Sequence, residues 1–492
     1  MRRGLALLVG ALLVVGSAGC GDAEADGPGA PQPAPGFDGG VPDAGPPDAG
    51  APDAGPPDAG PPDAGAPDGG GPDAGPGETA ADVTRHPFSQ EVLEVGVDGA
   101  GNTHALVRYE GSPEFQGTVL PNDGTGALQH AVVRLDAALR ATAVRVLPSG
   151  GSRGSGDEGP RGPLYHLAVL PDGSAAVGGS FSDALVTPAG TLAGRPFPEA
   201  SGFLALIAPD GSWRWARALG SEGELRVLDV AASARSIAAV GTFVGVSPQL
   251  GIAEVPAGVE RQGFLVRVDL EGATRTVHAF SGSVRGHGAG VALGPTEDSF
   301  VAGHTGVRTD AGAVLLTPYL ARVNANGGVV WEKRFGEFSG QLDRVAAAPD
   351  GTVASTGRFN TEREVRWGET LLATPSARSV LLVTAYDGPA RWGLELGRAL
   401  LGVGLAVDGL GQVTVAGRAV GTLDFGGGER GARDVASLFI ARLASTGRHR
   451  WSLALPLAGL SLGSQPPLDV AVEAQGRARV AADDELLELV PR

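Results

Sequence analysis

The chain has 492 residues, 42% apolar and 5% aromatic, with 80 glycines, 37 prolines, one cysteine and a formal net charge of −17. A single cysteine, Cys20, excludes an intramolecular disulfide and any cysteine-based metal cluster. The charge is uneven. Residues 21–80 carry 12 acidic and no basic side chains, so 81–492 holds 43 acidic against 36 basic residues. That balance contains no basic stripe, which argues against nucleic-acid binding.

Taken in order, Arg2 and Arg3 precede an apolar run over 5–15. That length suits the core of a signal peptide and is too short to span a bilayer. Gly16-Ser17-Ala18-Gly19 then leads into Cys20. Small residues before a lone cysteine resemble the lipobox of bacterial lipoproteins, with Ser17 standing where that motif has an aliphatic residue. The resemblance implies that 1–19 is a cleaved signal peptide and that Cys20 takes a diacylglycerol. Cleavage near Ala18, leaving a free thiol, is the alternative. Residues 41–75 are seven proline- and aspartate-bearing pentads of the PDAG type. Proline fixes φ and removes a donor, and the aspartates repel one another, so 20–80 is expected to be an extended, disordered stalk.

From 81 the composition changes to short apolar runs closed by turns. The stretch 164–220 reads as one four-stranded antiparallel unit, with Asp172-Gly173 and Asp210-Gly211 as hairpin turns. Its second-strand glycine recurs as Gly179, Gly241, Gly303, Gly357 and Gly417, at spacings of 62, 62, 54 and 60. An aromatic follows two residues on at Phe181, Phe243 and Phe359. The third strand opens with Phe203, Phe264, Tyr319, Val380 and Phe439, and the fourth carries Trp215, Trp331, Trp392 and Trp451, with Thr276 in the same slot. A diverged copy over 92–147 places Val107 and Tyr109 in the glycine and aromatic slots. Six units result, and the C-terminus supplies only three more strands. The segment around 81–88 is expected to give the fourth, closing the ring and removing both open sheet edges. The expected fold is all-β: a seven-bladed β-propeller over 81–492, its last blade closed by the N-terminal strand.

The stretch 421–428 (GTLDFGGG) leading into 437–451 (SLFIARLASTGRHRW) carries a resemblance to bacterial seven-bladed β-propeller repeat proteins. Many of these are exported lipoproteins with proline-rich linkers. The resemblance speaks to fold and, since propellers host many activities, implies little about function.

Repetition sorts the remaining residues. The tryptophans and the third-strand arginines Arg134, Arg267, Arg322 and Arg442 recur in one slot, which assigns them to packing and ion pairs between blades. Two Gly-x-Ser-x-Gly matches, at 150–154 and 459–463, fall in inter-blade connections with no following helix, which a nucleophile elbow requires. No close pair of metal-ligand histidines and no calcium loop of the Asp-x-Asp type occurs. His166 and His287, near the starts of first strands, and Asp343 and Arg344 in the fifth unit, are the candidates for a polar channel mouth. The plainer reading makes them solvated residues at strand starts. No residue is assigned to catalysis, a cofactor or a metal. The expected protein is an exported, membrane-anchored and monomeric propeller. It acts as a non-catalytic recognition or scaffold module for a protein, glycan or envelope component. An enzyme with a channel site (lyase, hydrolase or quinoprotein) and a purely structural envelope protein are the alternatives.

Overall fold

Runs of five to seven apolar residues between tight turns can bury both faces only by stacking sheet on sheet, and the repeat arranges this in a ring. The computed structural model describes residues 81–492 apart from short connecting stretches, the longest being 149–163, 253–258 and 458–467. Cys20, the signal-like segment, the stalk and both Gly-x-Ser-x-Gly matches lie outside the described residues. Among those described are seven four-stranded antiparallel sheets, here blades 1 to 7. Their innermost strands are Glu91–Val97, Leu164–Val169, Leu225–Ala232, Arg285–Leu293, Ser339–Ala347, Leu401–Val407 and Asp469–Val472. Each innermost strand touches the next, and the seventh touches the first, so the seven enclose a central channel.

The seventh blade has the composite build expected. Asp469–Val472, Ala478–Ala482 and Glu485–Val490 come from the C-terminal end, and Asp82–Pro87 pairs antiparallel with the last of them. The register runs from Asp82 opposite Val490 to Pro87 opposite Glu485. Pro87 closes the edge strand, where a missing donor is tolerated. Ordinary turn chemistry joins the strands: Gly173 and Gly211 take φ of 84° and 82°. Asp98, Asp269 and Asp408 each accept two backbone N–H groups of their own turns.

The core lies between blades. Leu204 and Leu206 of blade 2 pack with Val227, Ile237 and Phe264 of blade 3, and Ile440 and Trp451 of blade 6 pack with Val480, Leu487 and Leu489 of blade 7. Because both faces are covered, middle strands such as Ala175–Phe181 and Ser201–Ile207 are buried at every position. The repeated tryptophans reach across the seams: Trp215, Trp331 and Trp392 donate indole N–H bonds to the carbonyls of Leu270, Tyr386 and Ser445 in the next blade, at 2.8, 3.2 and 2.9 Å. Three of the third-strand arginines do likewise. Arg267, Arg322 and Arg442 donate to the carbonyls of Ala325, Tyr386 and Gly476 at 2.7, 3.1 and 2.5 Å. Arg134 pairs within its own blade with Asp98 at 3.3 Å. Arg134 apart, the recurrent slots are inter-blade fasteners.

The recurrent glycine has a steric cause. In blades 3, 4 and 5 the innermost strand bulges, at the steps Val227/Asp229, Gly288/Gly290 and Leu342/Arg344. Each bulge lifts a carbonyl beneath the neighbouring second strand. A Cβ on Gly241, Gly303 or Gly357 would lie 1.9, 2.0 or 2.1 Å from the carbonyl oxygen of Arg226, His287 or Gln341. No side-chain rotation relieves a backbone clash, so Gly241→Ala is expected to cost about 1–3 kcal/mol or more. Denaturant unfolding checks this: an unchanged midpoint would show that the bulge yields freely.

Candidate functional site

The bulges define a ring of seven equivalent positions on the channel wall. Each is the innermost-strand residue paired with the residue before the recurrent glycine slot: Glu94, His166, Asp229, Gly290, Arg344, Gly404 and, in blade 7, Asp469. Five of the seven are polar or charged, and no two adjacent blades repeat a residue type. Three of them do a common structural job. Glu94, Asp229 and Asp469 accept the backbone N–H of Leu167, Val291 and Val95 in the next blade, at 2.5, 2.8 and 2.8 Å. These carboxylates stitch blade 1 to 2, 3 to 4, and 7 to 1.

The remaining charges are balanced across the channel. His166 Nδ1 lies 2.8 Å from Glu94 Oε1. Burial works against the His166 cation, but the Glu94 carboxylate outweighs it and holds the imidazole above its ordinary range. Burial likewise opposes the Glu94 anion, and His166 and then Arg344 bring the carboxyl below its usual range. Asp229, 3.7 Å from an Arg344 Nη atom, is pushed upward by burial, with Glu94 adding to the push. Burial, then the nearby Glu94 charge, raises Asp469 to about 7. Arg344 sits among Asp229, Asp469, Glu94 and Asp343, whose fields outweigh its own burial.

A cavity of about 350 Å³ opens on this ring, lined by His166, His287, Asp343, Arg344 and Arg358 among others. A second cleft of about 400 Å³ adjoins it over blade 5, sharing Arg358, Leu400 and Leu401. All four candidates from the sequence, His166, His287, Asp343 and Arg344, therefore meet at one cavity. They are not simply solvated strand starts: the bulge and the neighbouring blades enclose them. Asp343 is itself the bulged residue, held by Gln341 Nε2 at 2.5 Å, and burial raises its carboxyl. His287 stacks on His304 with ring centroids 4.5 Å apart. Burial, and then Arg261, holds His287 down to about 4, and burial, then His287, holds His304 down to about 3, so both are neutral at pH 7. Among the described residues no group of three His, Cys, Asp or Glu side chains is placed to hold a metal ion.

The sequence reading missed Glu94, Asp229 and Asp469. A signal was there: every ring residue lies 12 or 13 positions before its second-strand slot, Asp469 included if Ala482 takes that slot.

The raised Asp469 carboxyl makes a pH prediction. The folded state holds this proton up to about pH 7, whereas the unfolded chain releases it near 4. The folded form thus binds more protons between those values, and its stability falls as pH rises through them. Asp469→Asn keeps an acceptor for the Val95 N–H and does not ionise. The melting midpoint of the variant minus that of the native chain should therefore grow by a few degrees between pH 5 and pH 8. A difference independent of pH would contradict the assignment.

No protein-family model and no curated protein sequence matches the chain. Among solved structures, a chain in the crystal structure of the mitotic checkpoint complex is similar with a TM-score of 0.43 and 11% identity, covering 87% of this chain and 96% of that one. YCF48 bound to D1 peptide gives 0.37 and 10%, covering 84% and 96%. The α-L-arabinanase of Penicillium chrysogenum complexed with arabinobiose gives 0.40 and 9%, covering 84% and 98%.

Proposed function

We propose that this protein is an exported, lipid-anchored recognition module whose binding site is the channel mouth. One observation carries the reading: a cavity on the channel wall is lined by His166, Asp343, Arg344 and Arg358, groups that the repeat does not require. Residues needed for the fold recur, and these do not. The ring carboxylates are committed to backbone N–H groups, which suits binding better than turnover. In this reading Cys20 carries the acyl chains, and several such chains anchor durably at about 0.8 kcal/mol per buried CH₂. The acidic stalk spaces the propeller from the membrane. Among the described residues no helix is long and apolar enough to cross a bilayer.

Two experiments test this. Metabolic labelling with an alkyne fatty acid should mark the native chain and not Cys20→Ser; equal labelling would remove the anchor. In a thermal-shift panel of metals, quinones and envelope saccharides, a ligand that binds only the folded state should stabilise it by about 2.7 kcal/mol at a hundredfold excess over Kd and so raise the midpoint.

A second reading has its own support. The His166–Glu94 pair has the geometry of an acid–base couple, so a channel enzyme acting on a small substrate is the competitor. Turnover of a bound ligand, abolished by His166→Asn, would favour it.

A further inference from the structure

Resting on the channel-mouth reading, the ligand's chemistry follows from which ring cation makes no hydrogen bond. Glu94, Asp229 and Asp469 each hold an inner-strand N–H of the next blade. Arg344 occupies the same slot in blade 5 and holds none. Among the described residues its nearest carboxylate is Asp229 at 3.7 Å, and its guanidinium makes no hydrogen bond. A guanidinium carries five donors in a planar fork, and a largely enclosed one left without hydrogen bonds is the exception in folded proteins. Arg344 lines the cavity, and so does Arg358, whose Nε is 3.7 Å from Asp343 Oδ2 and whose side chain is 54% exposed. His166 adds a third basic group, braced from behind by Glu94.

The cavity's front row presents basic donors, with Glu94 and Asp229 behind them as counter-charges. Arg344, Arg358 and His166 face the cavity against one carboxylate, Asp343, which is already engaged by Gln341, and the second imidazole, His287, is held neutral by burial. The adjoining cleft presents Ser339, Gln341 and Ser379 beside Leu316 and Leu400. Hydroxyl and amide groups next to apolar patches suit a hydroxylated body, and paired guanidiniums suit a carboxylate, which they bind in bidentate fashion.

We propose that the channel mouth binds the carboxylate of a hydroxylated acid about one sugar ring in size, with Arg344 and Arg358 clasping the carboxylate and the blade 5 cleft taking the hydroxylated body. Such an acid has two sources, a free sugar acid or the terminal residue of an acidic polysaccharide. Either presents the same carboxylate-bearing ring to the cavity.

The test is calorimetric titration of the full chain, in mild detergent at pH 7 and low salt. The probes are sodium D-galacturonate, a short oligogalacturonate, D-galactose and inorganic phosphate. The acids should bind at least tenfold more tightly than galactose, which has the same body without the carboxylate. Tighter binding of the oligomer than the monomer assigns the polysaccharide source, and equal binding the free acid. Arg344→Gln should weaken the acids at least tenfold. Because it also removes a cation from among four carboxylates, Arg358→Gln, at a half-exposed position, serves as the second variant and should weaken them severalfold with an unchanged melting midpoint. Acids that bind no better than galactose, acids that do not bind at all, or phosphate binding in their place would overturn the proposal. So would native affinity in both variants. Capture of an envelope component by a chain indifferent to both arginine substitutions would overturn this inference alone and leave the recognition reading standing. Consumption of the acid would do the reverse.

Discussion

Deleting residues 81–88 is expected to abolish cooperative folding, although the deleted segment is short and carries no candidate site residue. Asp82–Pro87 covers the outer edge of Glu485–Val490 along its whole length. Without it the seventh blade has three strands and an open edge of unpaired N–H and C=O groups. Leu486, Leu487 and Leu489 are fully buried, and Leu487 and Leu489 pack in the same cluster as Ala81 and the partly buried Val83. The loss therefore combines backbone pairing with apolar burial, at the one point where the ring is not held by chain continuity. Circular dichroism melts and light scattering check this. A sharp melt with monomeric scattering would show that the ring closes without the strand. Partial recovery on adding the 81–88 peptide would confirm that pairing is what was lost.

The second large effect is expected at Arg442. Its guanidinium pairs with Asp408 inside the blade 6–7 seam, where the two side chains are 3% and 0% exposed. It also donates to the carbonyl of Gly476 in blade 7 and to Gln412 Oε1. Arg442→Met keeps much of the volume but strands a buried carboxylate, a change that typically costs about 3–5 kcal/mol. Asp408→Asn alone removes the stranded charge while keeping the turn acceptor that Leu410 and Gln412 use. The double variant should thus be more stable than Arg442→Met. Denaturant midpoints of the three variants decide it, and additive effects would show that the pair is not coupled.

The fold was legible because the repeat writes each structural requirement several times. Asp-Gly turns, the tryptophan that reaches the next blade, and the glycine over a bulged carbonyl each recur, so chance matches wash out. The composite seventh blade followed from arithmetic: three terminal strands without a fourth. The channel site was only half legible. His166 and Arg344 stood out as polar residues at strand starts, yet the solvated reading undersold them because enclosure by neighbouring blades leaves no local trace. Glu94 and Asp469 are 375 positions apart and become neighbours only when the ring closes. Asp229 enters the ring only because the bulge between Val227 and Asp229 shifts its register. Reading that ring from sequence requires placing every bulge first.

Under the proposal, this protein meets its ligand at the channel mouth and not on its outer rim. The rim has its own cavity between blades 4 and 5, walled by Trp331 and Trp367. Two arginines separate the cases with similar exposure: Arg358 at the mouth, 54% exposed, and Arg366, 48% exposed, whose Nη1 donates to the carbonyl of Glu369 in the wall of the rim cavity. The decisive measurement is arginine labelling with phenylglyoxal, read by mass spectrometry with and without saturating ligand. Protection of Arg358 with Arg366 unchanged is the expected result. Protection of Arg366 with Arg358 labelled as before would place recognition on the rim and contradict the account.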